Sequence, residues 1–183
     1  MRLFVSLEPP VEAWAPVADA VTELGQVPGV RWSPPTRWHV TLAFLGELDD
    51  DDARRLAPPL RSAVAAAGPV RLRLAGTGTF GTSVLWAGVA GDVERLSSLA
   101  AGVVEAARAA GVGLEERPYQ PHVTLARAAG RGGAGALRQL ADQLASVSGP
   151  TWTATEARLV RSHASDGRYE VLEHLPLVAA SLP

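Results

Sequence analysis

The stretch of sequence that decides the fold is HVTLA at residues 39–43, because the same pentapeptide recurs at residues 122–126. Two of the four histidines of the chain therefore stand in one repeated context, each followed two residues later by a threonine. The two copies are 83 residues apart, long enough for each to belong to a sheet-and-helix lobe of its own. The repeat indicates two copies of one half-site.

A β-strand would give each copy a polar and an apolar face. Successive side chains of a strand point to opposite faces, so His39, Thr41 and Ala43 are predicted to share one face, and the equivalent residues of the second copy likewise. Valine and leucine would then enter the core while histidine and threonine line the opposite surface. Two such strands side by side would form a cleft.

Two imidazoles across a cleft suit acid–base chemistry, because the pKa of histidine lies near neutrality and one ring can be a neutral base while the other is a protonated acid. A single His-x-Thr is most often a surface or satisfied core histidine. A metal site is the other alternative, but the motif lacks the nearby carboxylate or third histidine typical of zinc enzymes. We therefore predict acid–base catalysis without a metal.

The composition excludes several classes of protein. The chain has no cysteine, which rules out thiol nucleophiles, disulfides and thiolate metal sites. All 17 basic residues are arginine, which rules out a Walker A lysine, a Schiff base and a lysyl-nucleotide intermediate. A net charge of −2 argues against a domain that coats duplex nucleic acid, although a small or terminal phosphate remains a compatible ligand.

Apolar runs typical of strands are mixed with alanine-rich stretches of helical periodicity, without the strict alternation of a doubly wound sheet. This mixture predicts an α+β fold with mainly antiparallel sheets and flanking helices, in one domain over residues 1–183. Asp49 to Asp52 suit a helix N-terminus. We predict strands at Leu3–Leu7, Val40–Leu45, Val70–Ala75, Val84–Val89, Val123–Ala126, Ala157–Val160 and Tyr169–Leu175, and helices at Pro10–Leu24, Asp50–Ala67, Asp92–Ala110 and Gly135–Val147.

The segment GTGTFG at residues 76–81 matches the dinucleotide-binding pattern G-x-G-x-x-G. The residues after it, Ser83 to Val89, read as another strand, whereas a pyrophosphate requires a helix N-terminus at this point. The glycines are therefore predicted to lie in a hairpin connection.

An ordered set of motifs across nearly the whole chain resembles the two-histidine phosphoesterases, and within them the bacterial and archaeal RNA 2′,3′-cyclic phosphodiesterases of LigT/ThpR type, formerly called 2′-5′ RNA ligases. The motifs are RLFVSL at residues 2–7, VRWSPP at 30–35, HVTL at 39–42, FLGE at 44–47, VLWAGV at 84–89 and RPYQPHVTLAR at 117–127.

The resemblance implies a bilobal, pseudo-two-fold fold in which the two His-x-Thr strands face each other across a central cleft. It implies hydrolysis of a 2′,3′-cyclic phosphate at an RNA 3′ end to a 2′-phosphate, with no metal and no nucleotide cofactor. In this assignment His39 is the proton donor and His122 the acceptor, while Thr41 and Thr124 bind the non-bridging phosphate oxygens.

Arg127 is a further candidate substrate-binding residue, because it completes a family-like Thr-Leu-Ala-Arg and a guanidinium suits phosphate. It lies five residues after His122, so strict alternation points it to the opposite face unless the strand bulges or ends. Other arginines near the motifs are interpreted as solvated or ion-paired: Arg31, Arg37, Arg117 and Arg131. The aromatic residues near the motifs are interpreted as core packing residues: Phe4, Trp32, Trp38 and Tyr169.

Two function classes stay open at this point. The chain is either a metal-independent phosphodiesterase acting on RNA 3′ ends or nucleotides with a 2′,3′-cyclic phosphate, or a binding module for such ends with little turnover. Reversible, ATP-independent 2′-5′ RNA ligation is a further alternative within the enzymes. We expect a cytoplasmic location, because the sequence shows neither a signal peptide nor a membrane span. We also expect a monomer.

Overall fold

Two antiparallel sheets form the frame of the molecule. The computed structural model describes residues 2–115, 117–163 and 167–178. The α+β class and the antiparallel sheets predicted from the sequence are confirmed. In chain order the elements are β1 (Arg2–Leu7), α1 (Val11–Leu24), β2 (Val30–Trp32), β3 (Val40–Glu47), α2 (Asp50–Ala67), β4 (Val70–Phe80), β5 (Val84–Gly91), α3 (Val93–Ala109), β6 (His122–Ala128), α4 (Gly133–Leu144), β7 (Trp152–Ala154), β8 (Glu156–Ser162) and β9 (Tyr169–Pro176).

The strands are arranged as a four-stranded and a five-stranded sheet. Sheet A has the order β3-β1-β8-β9 and sheet B the order β2-β6-β5-β4-β7. Helices α2 and α3 contact strands of sheet A, whereas α1 and α4 contact strands of sheet B. The two His-x-Thr segments therefore belong to different sheets, β3 in sheet A and β6 in sheet B.

The two halves of the chain repeat one order of elements and exchange a strand. The series β1-α1-β3-α2-β4 is followed by β5-α3-β6-α4-β8. In sheet A, β8 from the second half lies next to β1, and in sheet B, β4 from the first half lies next to β5. The expectation that each pentapeptide belongs to a sheet-and-helix lobe of its own is confirmed. The exchange of strands was not predicted; two strands alone make a marginal sheet, and each lobe is completed by strands of the other half.

Both pentapeptide strands carry a β-bulge directly after the threonine. In β3, Thr41 lies opposite Ser6 but Ala43 lies opposite the neighbouring Val5, and the same shift of register separates Thr124 from Ala126 in β6. The extra residue turns the next side chain around. Both alanines are consequently buried in the core, and the prediction that they share the face of histidine and threonine is wrong.

The predicted core residues of the two motifs are confirmed. Val40 and Leu42 of β3, and Val123 and Leu125 of β6, are buried and belong to one contiguous hydrophobic cluster. This cluster draws on both sheets and all four helices. Burial of these apolar side chains orients the intervening histidines and threonines away from the core.

The predicted strands and helices all form, with small differences in their ends. Strands β2 and β7 were not predicted, because three residues are too few to show a periodicity. The segment Gly76–Phe80 extends β4, and the chain turns into β5 at residues 81–83, so the glycine-rich stretch is a hairpin, as predicted.

Helix α2 begins where the aspartate run predicted. The Asp49 side chain accepts a hydrogen bond from the Asp52 backbone N–H at 2.8 Å, and the Asp52 side chain accepts one from the Asp49 N–H at 3.2 Å. This reciprocal pair is a capping box, which satisfies two donors of the first turn. No helix of the described residues is both long and apolar enough to cross a membrane.

Candidate active site

The two sequence-predicted histidines come together where β3 and β6 contact each other. His39 directly precedes β3 and His122 is the first residue of β6. The rings are close enough for the charge of His122 to lower the pKa of His39. Side chains 83 residues apart in the sequence thus face one site.

Both imidazoles are held by the same hydrogen bond. Nδ1 of His39 lies 2.7 Å from the carbonyl oxygen of Arg37, and Nδ1 of His122 lies 2.8 Å from that of Gln120. Because a carbonyl oxygen only accepts, each Nδ1 must carry a hydrogen and donate it. Nε2 is therefore the nitrogen that can gain or lose a proton, and the two copies present it in equivalent fashion.

The surroundings of the two rings favour their neutral forms. Burial lowers the pKa of His39, the hydrogen bond to Arg37 opposes this effect, and the charge of His122 lowers the pKa further. Burial also lowers the pKa of His122, the bond to Gln120 opposes it, and the charge of Arg127 adds to the lowering. A proton on one ring disfavours a proton on the other, so the site favours at most one charged imidazole.

The two threonines have hydroxyls that no described residue of the protein binds. Thr41 and Thr124 follow the histidines on the same strand face and are half-buried. In the part of the chain that the structure describes, neither hydroxyl has a hydrogen-bond partner. Each is therefore available to donate to an anion between the strands.

Arg127 lies on the face of His122 and Thr124. The bulge after Thr124 shifts the register, so that Thr124 is opposite Trp86 while Arg127 is opposite Val84, two residues earlier on β5. Trp86 and Val84 are two residues apart on β5 and so share a face, which places their partners Thr124 and Arg127 on one face as well. Without the bulge, strict alternation would place Arg127 on the opposite face. Its effect on the pKa of His122 agrees with this position.

Aromatic rings pack against both imidazoles, a feature that the sequence did not reveal. Phe4 stacks on His39 with ring centroids 4.8 Å apart, and Tyr169 meets the same ring edge-on at 5.4 Å. Phe80 meets His122 edge-on at 4.7 Å. The interpretation as a core packing residue is confirmed for Phe4, which is buried and also stacks on His39, and is wrong for Tyr169, which is exposed beside the same ring.

The remaining candidates lie elsewhere or have other partners. Trp38 is buried and its indole donates to the Ser33 carbonyl oxygen at 2.9 Å, in agreement with its interpretation as a core residue. His163 contacts Glu170 at 2.9 Å and His174 contacts Glu156 at 2.9 Å, both on the β8–β9 hairpin. Arg117 pairs with Glu115 at 2.5 Å.

The site offers no ready set of metal ligands. Across the described ranges of the chain, no three histidine or carboxylate side chains group so that they could hold a metal ion. The Nδ1 atoms of His39 and His122 are bound to backbone carbonyls and not to carboxylates. The arrangement leaves the Nε2 atom of each ring for proton transfer and two threonine hydroxyls for binding an anion.

Related proteins are similar to this chain in sequence over much of its length. The family model described as the 2′-5′ RNA ligase superfamily matches residues 9–166. An RNA 2′,3′-cyclic phosphodiesterase from Thermus thermophilus is 33% identical over 135 residues, covering 69% of this chain and 68% of the relative. One from Geobacillus stearothermophilus is 35% identical over 105 residues, covering 55% of this chain and 33% of the relative, so the match spans about a third of that protein.

Solved structures share the fold. The crystal structure of TT0787 of Thermus thermophilus superposes with a TM-score of 0.76 at 28% identity, covering 99% of this chain and 100% of that one. E. coli LigT complexed with 3′-AMP superposes with a TM-score of 0.77 at 24% identity, covering 97% and 98%. The similarity to LigT at this identity shows the common fold alone.

Proposed function

Because the chain belongs to the 2′-5′ RNA ligase superfamily, we propose that it hydrolyses 2′,3′-cyclic phosphodiesters at RNA 3′ ends to 2′-phosphomonoesters. The observation that carries the proposal is the pair of His-x-Thr segments on facing strands, each with its imidazole held through Nδ1 by a backbone carbonyl. Several relatives named RNA 2′,3′-cyclic phosphodiesterase support the same activity.

The reaction needs one proton acceptor and one proton donor. Water attacks phosphorus while Nε2 of His122 takes its proton, and the bond from phosphorus to O3′ breaks while Nε2–H of His39 protonates the leaving oxygen. The family resemblance assigns His122 as the acceptor and His39 as the donor, and the positive charge of Arg127, which disfavours a proton on His122, is compatible with the first of these roles.

Charge on the non-bridging oxygens grows as the transition state forms. Thr41 and Thr124 have hydroxyls that no described residue binds and that can donate to these oxygens, and the Arg127 guanidinium can neutralise part of the charge. Donors held in place before the reaction lower the barrier because they need not reorganise. None of these steps requires a metal ion or a nucleotide cofactor.

The test is a product analysis in the presence of EDTA. An RNA oligonucleotide ending in a 2′,3′-cyclic phosphate is incubated with wild type, His39→Ala, His122→Ala, Thr41→Ala and Thr124→Ala. We expect a 2′-phosphate product, losses of roughly 10²- to 10⁴-fold for each histidine variant, and losses of about 10- to 100-fold for each threonine variant, which removes one hydrogen bond to a charged group.

His174→Ala is the matched control, because this histidine is exposed on the edge strand β9 and pairs with Glu156. It should retain the wild-type rate. A 3′-phosphate product, loss of activity in EDTA, or full activity in either active-site histidine variant would each contradict one part of the proposal. Tight binding of the RNA end without turnover would instead favour a binding module.

A further inference from the structure

We propose that Arg31 and Arg127 form a second phosphate subsite, which binds the phosphate on the 5′ side of the terminal nucleoside. The inference rests on the proposed function and deepens it, because it makes an oligonucleotide end a better substrate than a cyclic mononucleotide. Arg31 was interpreted from the sequence as a solvated or ion-paired residue, and only the register of β2 relates it to the site.

The two arginines are direct neighbours across a pair of strands. Strand β2 pairs antiparallel with β6, and in this register Arg31 lies opposite Arg127, flanked by the pairs Val30–Ala128 and Trp32–Ala126. Side chains at directly opposite positions point to the same face, with Cβ atoms about 4.5–5.5 Å apart. Arg31 therefore shares the exposed face on which Arg127, Thr124 and His122 lie.

Neither guanidinium has an anionic partner among the described residues. Both side chains are exposed, and in the described parts of the chain neither forms an ion pair. Like charges at opposite positions of a sheet repel each other and destabilise the pairing. Two unpaired arginines held side by side are thus suited to an anion that bridges them, and a phosphate can accept two hydrogen bonds from each.

The strands around this face are poor in carboxylates. Strands β2, β5 and β6 contain two arginines and no aspartate or glutamate, and the single carboxylate of β3, Glu47, lies at the end of the strand and pairs with Arg2. The chain as a whole has more acidic than basic residues, 19 against 17. The positive charge is therefore local to the strands that form the site, where it attracts a polyanion.

The reacting phosphate already has partners in the two histidines and the two threonines, and Arg127 would be shared between it and the second phosphate. Strand β2 is the edge strand of sheet B and lies beyond β6, so Arg31 is one strand further from β5 than Arg127. An arginine on the strand next to β6 is placed to bind the phosphate that precedes the reacting one in the same RNA chain. A cyclic mononucleoside has no such phosphate and would leave Arg31 without a ligand.

The test compares three substrates: adenosine 2′,3′-cyclic phosphate, the dinucleotide ApA with a 3′-terminal 2′,3′-cyclic phosphate, and the same dinucleotide with a neutral methylphosphonate as its internal linkage. In wild type the dinucleotide should have the highest kcat/KM, and the neutral linkage should remove most of this preference. In Arg31→Gln the ratio of kcat/KM for dinucleotide over mononucleoside should fall about tenfold, as expected for one charge-assisted hydrogen bond.

Arg138→Gln is the matched control, since it removes one exposed arginine from α4 in the same lobe. It should keep the wild-type ratio. An unchanged ratio in Arg31→Gln, or equal use of the neutral and charged linkages by wild type, would overturn the subsite. Hydrolysis of neither cyclic phosphate by wild type would overturn the proposed function, and the subsite with it.

A stability measurement separates a binding role from a structural one. Removing one of two opposed like charges relieves repulsion, so Arg31→Gln should unfold at the same temperature as wild type or higher. A lower unfolding temperature together with an unchanged substrate ratio would assign Arg31 to the stability of β2 and reject the subsite.

Discussion

The two imidazoles have identical motifs but different neighbours. His39 packs between Phe4 and Tyr169, whereas His122 contacts Phe80 and lies within range of the Arg127 charge. Burial lowers the pKa of both rings, and the arginine adds to this lowering at His122 alone. A proton is therefore disfavoured by a different neighbour at each ring, by the charge of His122 at His39 and by the charge of Arg127 at His122, so two identical motifs have unequal electrostatic surroundings.

Arg127→Gln should shift the pH dependence of hydrolysis. Removing the positive charge raises the pKa of His122, and a general base works only when it is neutral. The acidic limb of the kcat/KM profile should therefore move to higher pH, which a series of rates measured across pH would detect. Arg138→Gln should leave the limb where it is, and a limb that stays or moves to lower pH in Arg127→Gln would contradict this electrostatic role.

At the scale of single elements, the bulges of β3 and β6 decide which side chains reach the cleft. Each bulge turns an alanine inward and brings the following residue to the polar face, Phe44 in one copy and Arg127 in the other. Phe44 is 68% exposed and lies near Phe4, with ring centroids 6.1 Å apart. The same bulge therefore places an aromatic side chain on the polar face of β3 and a cationic side chain on the polar face of β6.

Gly78 of β4 is required by the aromatic packing next to His122. A Cβ at this position would overlap the Trp86 ring, which contacts Phe80, which in turn contacts His122. Gly78→Ala should therefore displace the indole, cost about 1–3 kcal/mol of stability by overpacking, and lower kcat/KM by up to ~10²-fold through misplacement of His122. Denaturant unfolding and cyclic phosphate hydrolysis measure the two effects.

Gly102→Ala is the matched control for this substitution. Gly102 lies inside α3 with open space around the added Cβ, so alanine should stabilise the protein by about 0.5–1 kcal/mol through its higher helix propensity and leave the rate unchanged. Equal rates in the two glycine variants would show that the Trp86 and Phe80 rings do not position His122.

At the scale of the whole molecule, the lobes are interleaved. Each sheet contains strands from both halves of the chain, and one hydrophobic cluster joins the two sheets. Neither half contains all the strands of one sheet, so the halves are expected to fold together. This arrangement supports the prediction of one domain over residues 1–183.

Unfolding should accordingly be a single cooperative transition. Leu42→Ala in sheet A and Leu125→Ala in sheet B each remove a buried side chain, at a cost of about 2–5 kcal/mol. Both variants should lower the midpoint of one common transition, followed by calorimetry and by tryptophan fluorescence. Two separate transitions, or a variant that shifts only one of them, would show that the lobes are independent domains.

Much of the candidate site could be predicted from patterns among residues close together in the sequence. The repeated His-x-Thr, the alternation that buries Val40 and Leu42, and the aspartates that cap α2 all depend on residues within one element. The family resemblance then supplied the activity. The buried positions of Ala43 and Ala126, the place of Phe4 and Tyr169 beside His39, and the pairing of Arg31 with Arg127 were not readable.

The sequence by itself determined which side chains are candidates for the chemistry and which elements hold them, because side-chain identity and local periodicity are properties of neighbouring residues. Tertiary structure alone decided which of these side chains meet. Bulges, the exchange of β4 and β8 between lobes, and the register of β2 on β6 arise from pairings between distant segments, whose energies depend on partners that no local window contains.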